Sequence, residues 1–346
     1  MISEIIKKLE KRFDLTYDEI NQVTTEILSG KTTQSENVSF LSNLAEKGET
    51  DDELLGMLDK MTEFALKITP KNKGTVIDMC GTGGDNRHTF NVSTTASFVV
   101  AAAGGIVAKH GNRSSSGISG SADIFEYFGY DLNSSPERVT EIIEKFGIGF
   151  MFAQKFHPAM KNVVNARKQI GGRTAFNLLG PLSNPARVKN QLIGVFSDEF
   201  LERIVLLLKK QGSENIMTVR SQDGLDEFST TAKNQVYFLK NNSINKMIID
   251  PQELGMSKPE IKDIQVSTKE QAVNAFVSVL NNSANKAMIE ITALNAAGGL
   301  IVANLADNFK DALEIALETI KSGVTYSLFE DFVRFCGNKK KLEEFD

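Results

Sequence analysis

The sequence predicts an α/β protein, with a small all-helical domain over about residues 1–70 and a larger α/β domain over 71–346. The first seventy positions read as helices only, with segments whose apolar residues recur at three-to-four spacing, the mark of amphipathic helices. From Thr75 onward, short apolar runs alternate with helical stretches, as in a sheet with helices packed on its faces. Beyond Thr268 the pattern returns to long helices.

The helical start is read from Ile5, Leu9 and Phe13, and from Ile20, Val23 and Ile27. Thr16 with Glu19, and Thr50 with Glu53, place a hydroxyl and a carboxylate where they satisfy the free donors of a helix start. TVIDMC is then a short buried strand, GTGGD a glycine turn, and STTASFVVAAA a helix of small residues ended by Gly104-Gly105. IVAKH is the next strand, and Ser135-Pro136 opens a helix that stops near Gly147. GIGFMFA, QLIGVFS and NIMTVRS are further strands, with helical stretches near 157–170 and 198–210. QVYFLKN and KMIID form an antiparallel addition. Helical segments from about 160–190 are expected to join the N-terminal domain.

Composition removes several functions. Net charge is −5, against the basic face expected of a chain that grips nucleic acid phosphates. The longest apolar run, Phe98 to Ala108, is well short of the ~20 residues that span a bilayer. The opening MISEIIKKLEKRF has the pattern of an amphipathic helix, not of a signal peptide. Cys80 and Cys336 are the only cysteines and lack CxxC spacing, so neither a disulfide framework nor a thiolate metal site is indicated. Together these favour the cytoplasm.

Five stretches carry chemistry. Gly81-Thr82-Gly83-Gly84-Asp85 lies between strand and helix, where bare backbone N–H groups reach an anion. Asp85 would repel a naked phosphate, so it makes sense beside Mg²⁺ or a ribose hydroxyl. Asn91-Val92-Ser93-Thr94 offers an amide and two hydroxyls at a helix start, whose dipole favours phosphate. Lys109-His110-Gly111-Asn112-Arg113, with Ser114 to Ser121 following, sets two cations, several hydroxyls and three glycines in one loop, a site for a polyanion. Asp223-Gly224-Leu225-Asp226-Glu227 follows a strand and supplies the hard oxygen donors that Mg²⁺ takes. Arg167, on a helix after His157, could pair bidentately with a substrate carboxylate. Taken singly, the glycine turn and the acidic turn fit a packing or solvated turn as well, Asn91-Val92-Ser93-Thr94 fits an ordinary N-cap better and Arg167 a surface salt bridge, whereas the clustered Lys and Arg of the third stretch exceed what a mere connector needs.

Together, GTGGD, TFNVST, KHGNR, SGSAD, HPAMK, RTAFNLLGPLSNPA and DGLDE resemble the anthranilate phosphoribosyltransferase family, in one order and over essentially the whole chain. The resemblance implies a mostly parallel central sheet flanked by helices, a homodimer joined through the helical domains, and a step of tryptophan biosynthesis. Phosphoribosyl pyrophosphate (PRPP) would be held by Gly81, Gly84, Asp85, Thr89, Asn91, Val92, Ser93 and Thr94. Lys109, His110, Gly111, Asn112, Arg113, Ser114, Ser115, Ser116, Gly117 and Ser121 would continue that site. Anthranilate would meet Gly81, Asn112, His157 and Arg167. Magnesium, two ions per subunit, would bind Ser93, Asp226 and Glu227. The chain departs from the family pattern at Gly117, Ile118 and Asn86.

Displacing pyrophosphate from ribose C1 builds positive charge on the sugar and negative charge on the leaving group. The amine of anthranilate is already unprotonated near neutral pH, and the sequence offers no nucleophile-base-orienter triad, so no residue is assigned as an obligate general base. The rival readings are a pyrimidine nucleoside phosphorylase, whose loop sequences are not seen, and a nucleic-acid-binding relative, which the acidic charge disfavours.

Overall fold

The computed structural model describes residues 1–85, 87–114 and 117–345. Four helices come first: α1 (Ile2–Glu10), α2 (Tyr17–Leu28), α3 (Gln34–Lys47) and α4 (Asp51–Phe64). Then follow β1 (Val76–Gly81), α5 (Val92–Ala102), β2 (Ile106–Gly111), α6 (Ser121–Tyr127), α7 (Pro136–Phe146) and β3 (Ile148–Phe152). Three short helices come next: α8 (Ala153–Phe156), α9 (Lys161–Ile170) and α10 (Ala175–Leu179). The sheet resumes with β4 (Asn190–Gly194), α11 (Glu199–Lys210), β5 (Asn215–Ser221), β6 (Asn234–Lys240) and β7 (Ser243–Ile249). The chain ends in α12 (Lys269–Leu280), α13 (Lys286–Val302), α14 (Phe309–Lys321) and α15 (Val324–Cys336).

The chain divides into two compact units: Met1–Lys67 with Ala153–Arg187, and Ile68–Phe152 with Val188–Asp346. In the helical unit the apolar stripes of α1 to α4 bury Ile5, Leu9, Ile20, Val23, Ile27, Phe40 and Met57. Both capping boxes read from the sequence form, and Thr33 with Glu36 makes another at α3. Glu53 is wholly buried because its carboxylate is fully used: it accepts from Leu15 N at 2.8 Å, Thr50 N at 2.7 Å and Lys47 Nζ at 3.0 Å. Asn162 ties α9 into this unit, donating to Leu28 O at 2.8 Å while its own carbonyl accepts from Asn37 Nδ2 at 3.1 Å. Phe13 departs from expectation. α1 ends at Glu10, with Arg12 at φ 60°, so Phe13 leaves the helical stripe and stands 60% exposed.

In the α/β unit one seven-stranded sheet has the order β3-β2-β1-β4-β5-β6-β7. The first five strands are mutually parallel; β6 and β7 are added antiparallel, as the sequence predicts. The parallel strands are buried nearly end to end, which explains their unbroken apolar runs. α5 packs on α13 over β1, and this close approach depends on small residues: a Cβ on Gly299 would lie 2.8 Å from Met79 Sδ. The apolar helix α5 thereby presents its N-terminus at the C-terminal edge of the sheet.

Candidate active site

The floor of the site is glycine. Gly81, ending β1, pairs with Gly194, ending β4, at the place where the chain leaves β1 toward β2 on one side and β4 lies on the other. Ligands of open α/β sheets bind at such switch points. A Cβ on Gly81 would lie 3.1 Å from Asp226 Oδ2, and one on Gly194 would overlap the Asp226 carbonyl. Two bare strand ends thus let the turn after β5 lie across the sheet. Gly194 is a residue the sequence reading missed; within QLIGVFS it looks like one more strand position.

That turn carries Asp226 and Glu227, each held by a backbone donor. Gly83, at φ 68°, gives its N–H to Asp226 Oδ2 at 2.7 Å, and Ser93, in the first turn of α5, gives its N–H to Glu227 Oε1 at 3.2 Å. Burial raises both carboxylates well above the usual range, helped by Asp85 at Asp226 and by Asp226 at Glu227. Three acidic side chains from loops far apart in sequence therefore share one place. Arg87, also missed, braces it by donating to the Asp223 carbonyl.

The cationic loop closes beside them. Lys109 is 1% exposed and its ammonium donates to the Met79 carbonyl; burial lowers its pKa, against the pull of Asp78, Cys80 and Glu227. Thr94 Oγ1 donates to Ser121 Oγ at 3.0 Å and Asn91 Nδ2 to the Ser119 carbonyl at 3.0 Å, joining the α5 start to the loop before α6. Asn91 precedes α5 without capping it, and its buried Oδ1 has no partner among the described residues, leaving an acceptor for a hydroxyl. Val92 points into the core, so only its backbone faces the site. Thr89 bridges to Gln265, and Gly84 has φ 90°.

Asn112 Oδ1 accepts from Arg113 N at 2.8 Å, and Ser114 Oγ donates to the Gly117 carbonyl at 2.7 Å. His110 is buried, and Gly111 packs on Ser121, where a Cβ would meet Ser121 Cβ at 3.2 Å. Arg113, expected as a polyanion ligand, is committed elsewhere: its guanidinium donates twice to Glu126, at 2.6 and 2.7 Å. Ser115, Ser116 and Asn86 lie outside the described residues.

His157 and Arg167 belong to the helical unit. His157 is 6% exposed, and burial lowers its pKa to about 4 despite hydrogen bonds to the Ser183 and Met61 backbone. Arg167 is partly buried beside Asn177 Oδ1, at 3.3 Å, and the Phe176 ring, with no carboxylate partner among the described residues. An ordinary salt bridge is thus not its role here.

The magnesium expectation can be tested on this donor set. Among the described residues no group of three or more His, Cys, Asp and Glu side chains encloses an ion. Mg²⁺ does not need one, since it takes one or two carboxylates and completes its shell with substrate phosphates and water. Two carboxylates raised by burial and by neighbouring acidic groups suit a hard dication, whose charge would relieve them.

Residues 73–326 match the α/β domain of the glycosyl transferase family and residues 3–65 its helical bundle domain. The chain is 68% identical over 344 residues to the anthranilate phosphoribosyltransferase of Nitrosopumilus maritimus (strain SCM1), covering 99% of both chains. The chain belongs to the anthranilate phosphoribosyltransferase family. The solved family structure from Thermus thermophilus superposes with a TM-score of 0.89 at 34% identity, covering 96% of this chain and 98% of that one. The anthranilate phosphoribosyltransferase of Saccharomyces cerevisiae, solved with PRPP and Mg, has the same fold at 24% identity, TM-score 0.87, over 96% of this chain and 97% of its own.

Proposed function

We infer that the chain transfers the phosphoribosyl group of PRPP to the amine of anthranilate, releasing pyrophosphate and giving N-(5-phosphoribosyl)anthranilate for tryptophan biosynthesis. The observation that carries the reading is the meeting of Gly83, Ser93, Asp226 and Glu227: two backbone donors and two buried carboxylates at a parallel-sheet switch point. Such a place suits a diphosphate only with a cation between. Asp226, Glu227 and Ser93 are assigned to magnesium, with two ions per subunit. When bound, it would supply charge that neutralises the departing pyrophosphate.

The remaining assignments follow the chemistry of each group. The N-terminus of α5, with Asn91, Ser93 and Thr94, takes the phosphoribosyl end, and its dipole favours the anion. Gly81 and Gly84 bring backbone close to the ligand, and Asp85 and Thr89 border it. Lys109 and the loop through Gly117, with Ser121, complete the enclosure, the Arg113 guanidinium being held by Glu126. Anthranilate is assigned to Gly81, Asn112, His157 and Arg167. Arg167, lacking a protein carboxylate, suits the acid group of the substrate. His157 is neutral near pH 7 and lines the aromatic ring without adding charge. No side chain needs to act as a strong base. The chain's own groups bind, orient and keep water from the sugar.

We place this enzyme in the cytoplasm, as a homodimer joined through its helical units. No described helix is long and apolar enough to cross a membrane. Exposed Phe13 and Tyr17 of the helical unit support an apolar contact there. The deciding experiment follows the loss of anthranilate fluorescence with PRPP and MgCl₂ together and with each omitted. Loss that requires both supports the reading, and fluorescence unchanged in the full mixture rejects it.

A further inference from the structure

The sheet does not continue evenly to the site. β1 keeps its register with β4 up to Gly81↔Gly194, and β2 keeps its register with β3 up to Gly111↔Phe152. Between β1 and β2 themselves, among the described residues, the register is Val76↔Ile106 and Ile77↔Val107 only. The last residues of these two strands therefore lack a continuous backbone ladder, although they carry the motifs that reach the ligand.

Two buried side chains occupy the position of the missing rungs. The His110 N–H, which in a continued ladder would meet a carbonyl of β1, donates to Asp78 Oδ1 at 3.1 Å. In the other direction Lys109 Nζ donates to the Met79 carbonyl. Asp78 is wholly buried and Lys109 nearly so. A carboxylate deep in an apolar strand is costly unless it is hydrogen-bonded and charge-compensated; Asp78 accepts from the His110 amide, and the Lys109 ammonium, bonded to the Met79 carbonyl, is an opposite charge in its neighbourhood.

We propose that Asp78 is a positioning residue: its carboxylate replaces the backbone rung at His110 and sets an opposite charge near Lys109, so that the end of β2 meets the phosphoribosyl ligand in one fixed geometry. Asp78 itself touches no substrate in this account. The role rests on the PRPP reading above for its consequence, whereas its structural half is independent of that reading. The residue is also visible in the sequence, as the lone carboxylate inside the apolar strand TVIDMC.

The test joins kinetics to amide exchange. First, wild-type protein is assayed for anthranilate loss; absence of turnover there defeats the functional reading and leaves the structural half to the exchange experiment. In Asp78→Asn, which removes the charge but keeps an acceptor, KM for PRPP is expected to rise roughly tenfold, with kcat and KM for anthranilate within about twofold. A PRPP KM equal to wild type, or equal rises in both KM values, overturns the proposal. In Asp78→Ala, hydrogen exchange in a peptide spanning 106–113 of the ligand-free protein is expected to quicken, while exchange in 290–302 stays unchanged. Unaltered exchange in 106–113 overturns the rung. If Asp78→Asn is insoluble, Asp78→Asn with Lys109→Gln removes both charges: a soluble, folded double variant supports the pairing, and an insoluble one overturns it.

Discussion

At one imidazole acid should work against this fold, whereas the raised carboxylates of Asp226 and Glu227 work the other way. His157 is 6% exposed in the helical unit, and desolvation lowers its pKa from 6.5 to about 4. In the unfolded chain the same ring titrates near its ordinary value. Between those two values the unfolded ring binds more protons than the folded one, so the contribution of His157 to stability falls as pH drops. Above pH 6.5 the ring is neutral in both states and contributes no penalty. At pH 5 the unfolded ring is mostly protonated and the folded ring mostly not, and the linkage relation gives about 2 kcal/mol lost relative to pH 7.5. The perturbation is His157→Gln, which keeps a polar side chain but cannot titrate. Urea unfolding, followed by circular dichroism at pH 7.5 and pH 5, isolates the effect as the difference between the two proteins, since all other titrating groups are common to both. Wild type should lose about 2 kcal/mol more than the variant, a midpoint shift on the order of 1 M for m near ~2 kcal/mol/M. Equal losses in the two proteins would mean that the folded ring takes up its proton freely, and would refute the burial argument.

Other outcomes follow from the site. Asp226→Asn combined with Glu227→Gln should lower kcat by on the order of 100-fold or more and raise the MgCl₂ needed for half-maximal activity, as the loss of several kcal/mol of charge stabilisation requires; an unchanged Mg²⁺ titration rejects the metal assignment. Arg167→Ala should raise KM for anthranilate about tenfold or more through the lost charge-assisted pair, with KM for PRPP nearly constant. Equal effects on both substrates in steady-state assays would make Arg167 structural. Gly194→Ala drives a Cβ into the Asp226 carbonyl, so the turn after β5 must shift. Overpacking of this kind costs about 1–3 kcal/mol, and activity should fall much further than thermal stability does; full activity would show that the turn yields without consequence. Phe13→Glu should convert a dimer to monomer in sedimentation velocity, and an unchanged sedimentation coefficient would remove Phe13 from any interface.

Much of the fold was legible because its signals are local. The caps of α2 and α4 are four-residue patterns, and Thr33 with Glu36 at α3 has the same spacing. The antiparallel β6 and β7 announce themselves through adjacent runs joined by Asn241 and Asn242, whose positive φ suits a tight reversal. Phe13 shows the limit: its spacing fits the stripe of α1, yet the left-handed backbone at Arg12 turns it out to solvent.

The site was legible in type and not in pairing, for a physical reason. A loop with lysine, arginine and hydroxyls declares an anion site, but only tertiary geometry decides which cation faces the ligand. Arg113 is spent on Glu126, a partner thirteen residues away that the loop motif itself does not contain. Asn91 looks like a helix cap and instead reaches Ser119 across to the next loop. Gly194 is needed because the Asp226 carbonyl passes above it, a constraint imposed by a segment more than thirty residues later. Asp78 is the opposite case, since its anomaly is visible in the strand TVIDMC while its partner is not. A charged residue where the pattern demands an apolar one costs stability that only a distant group can offset. Such positions are accordingly the ones in an α/β sequence where a search for the residues that shape a site should begin.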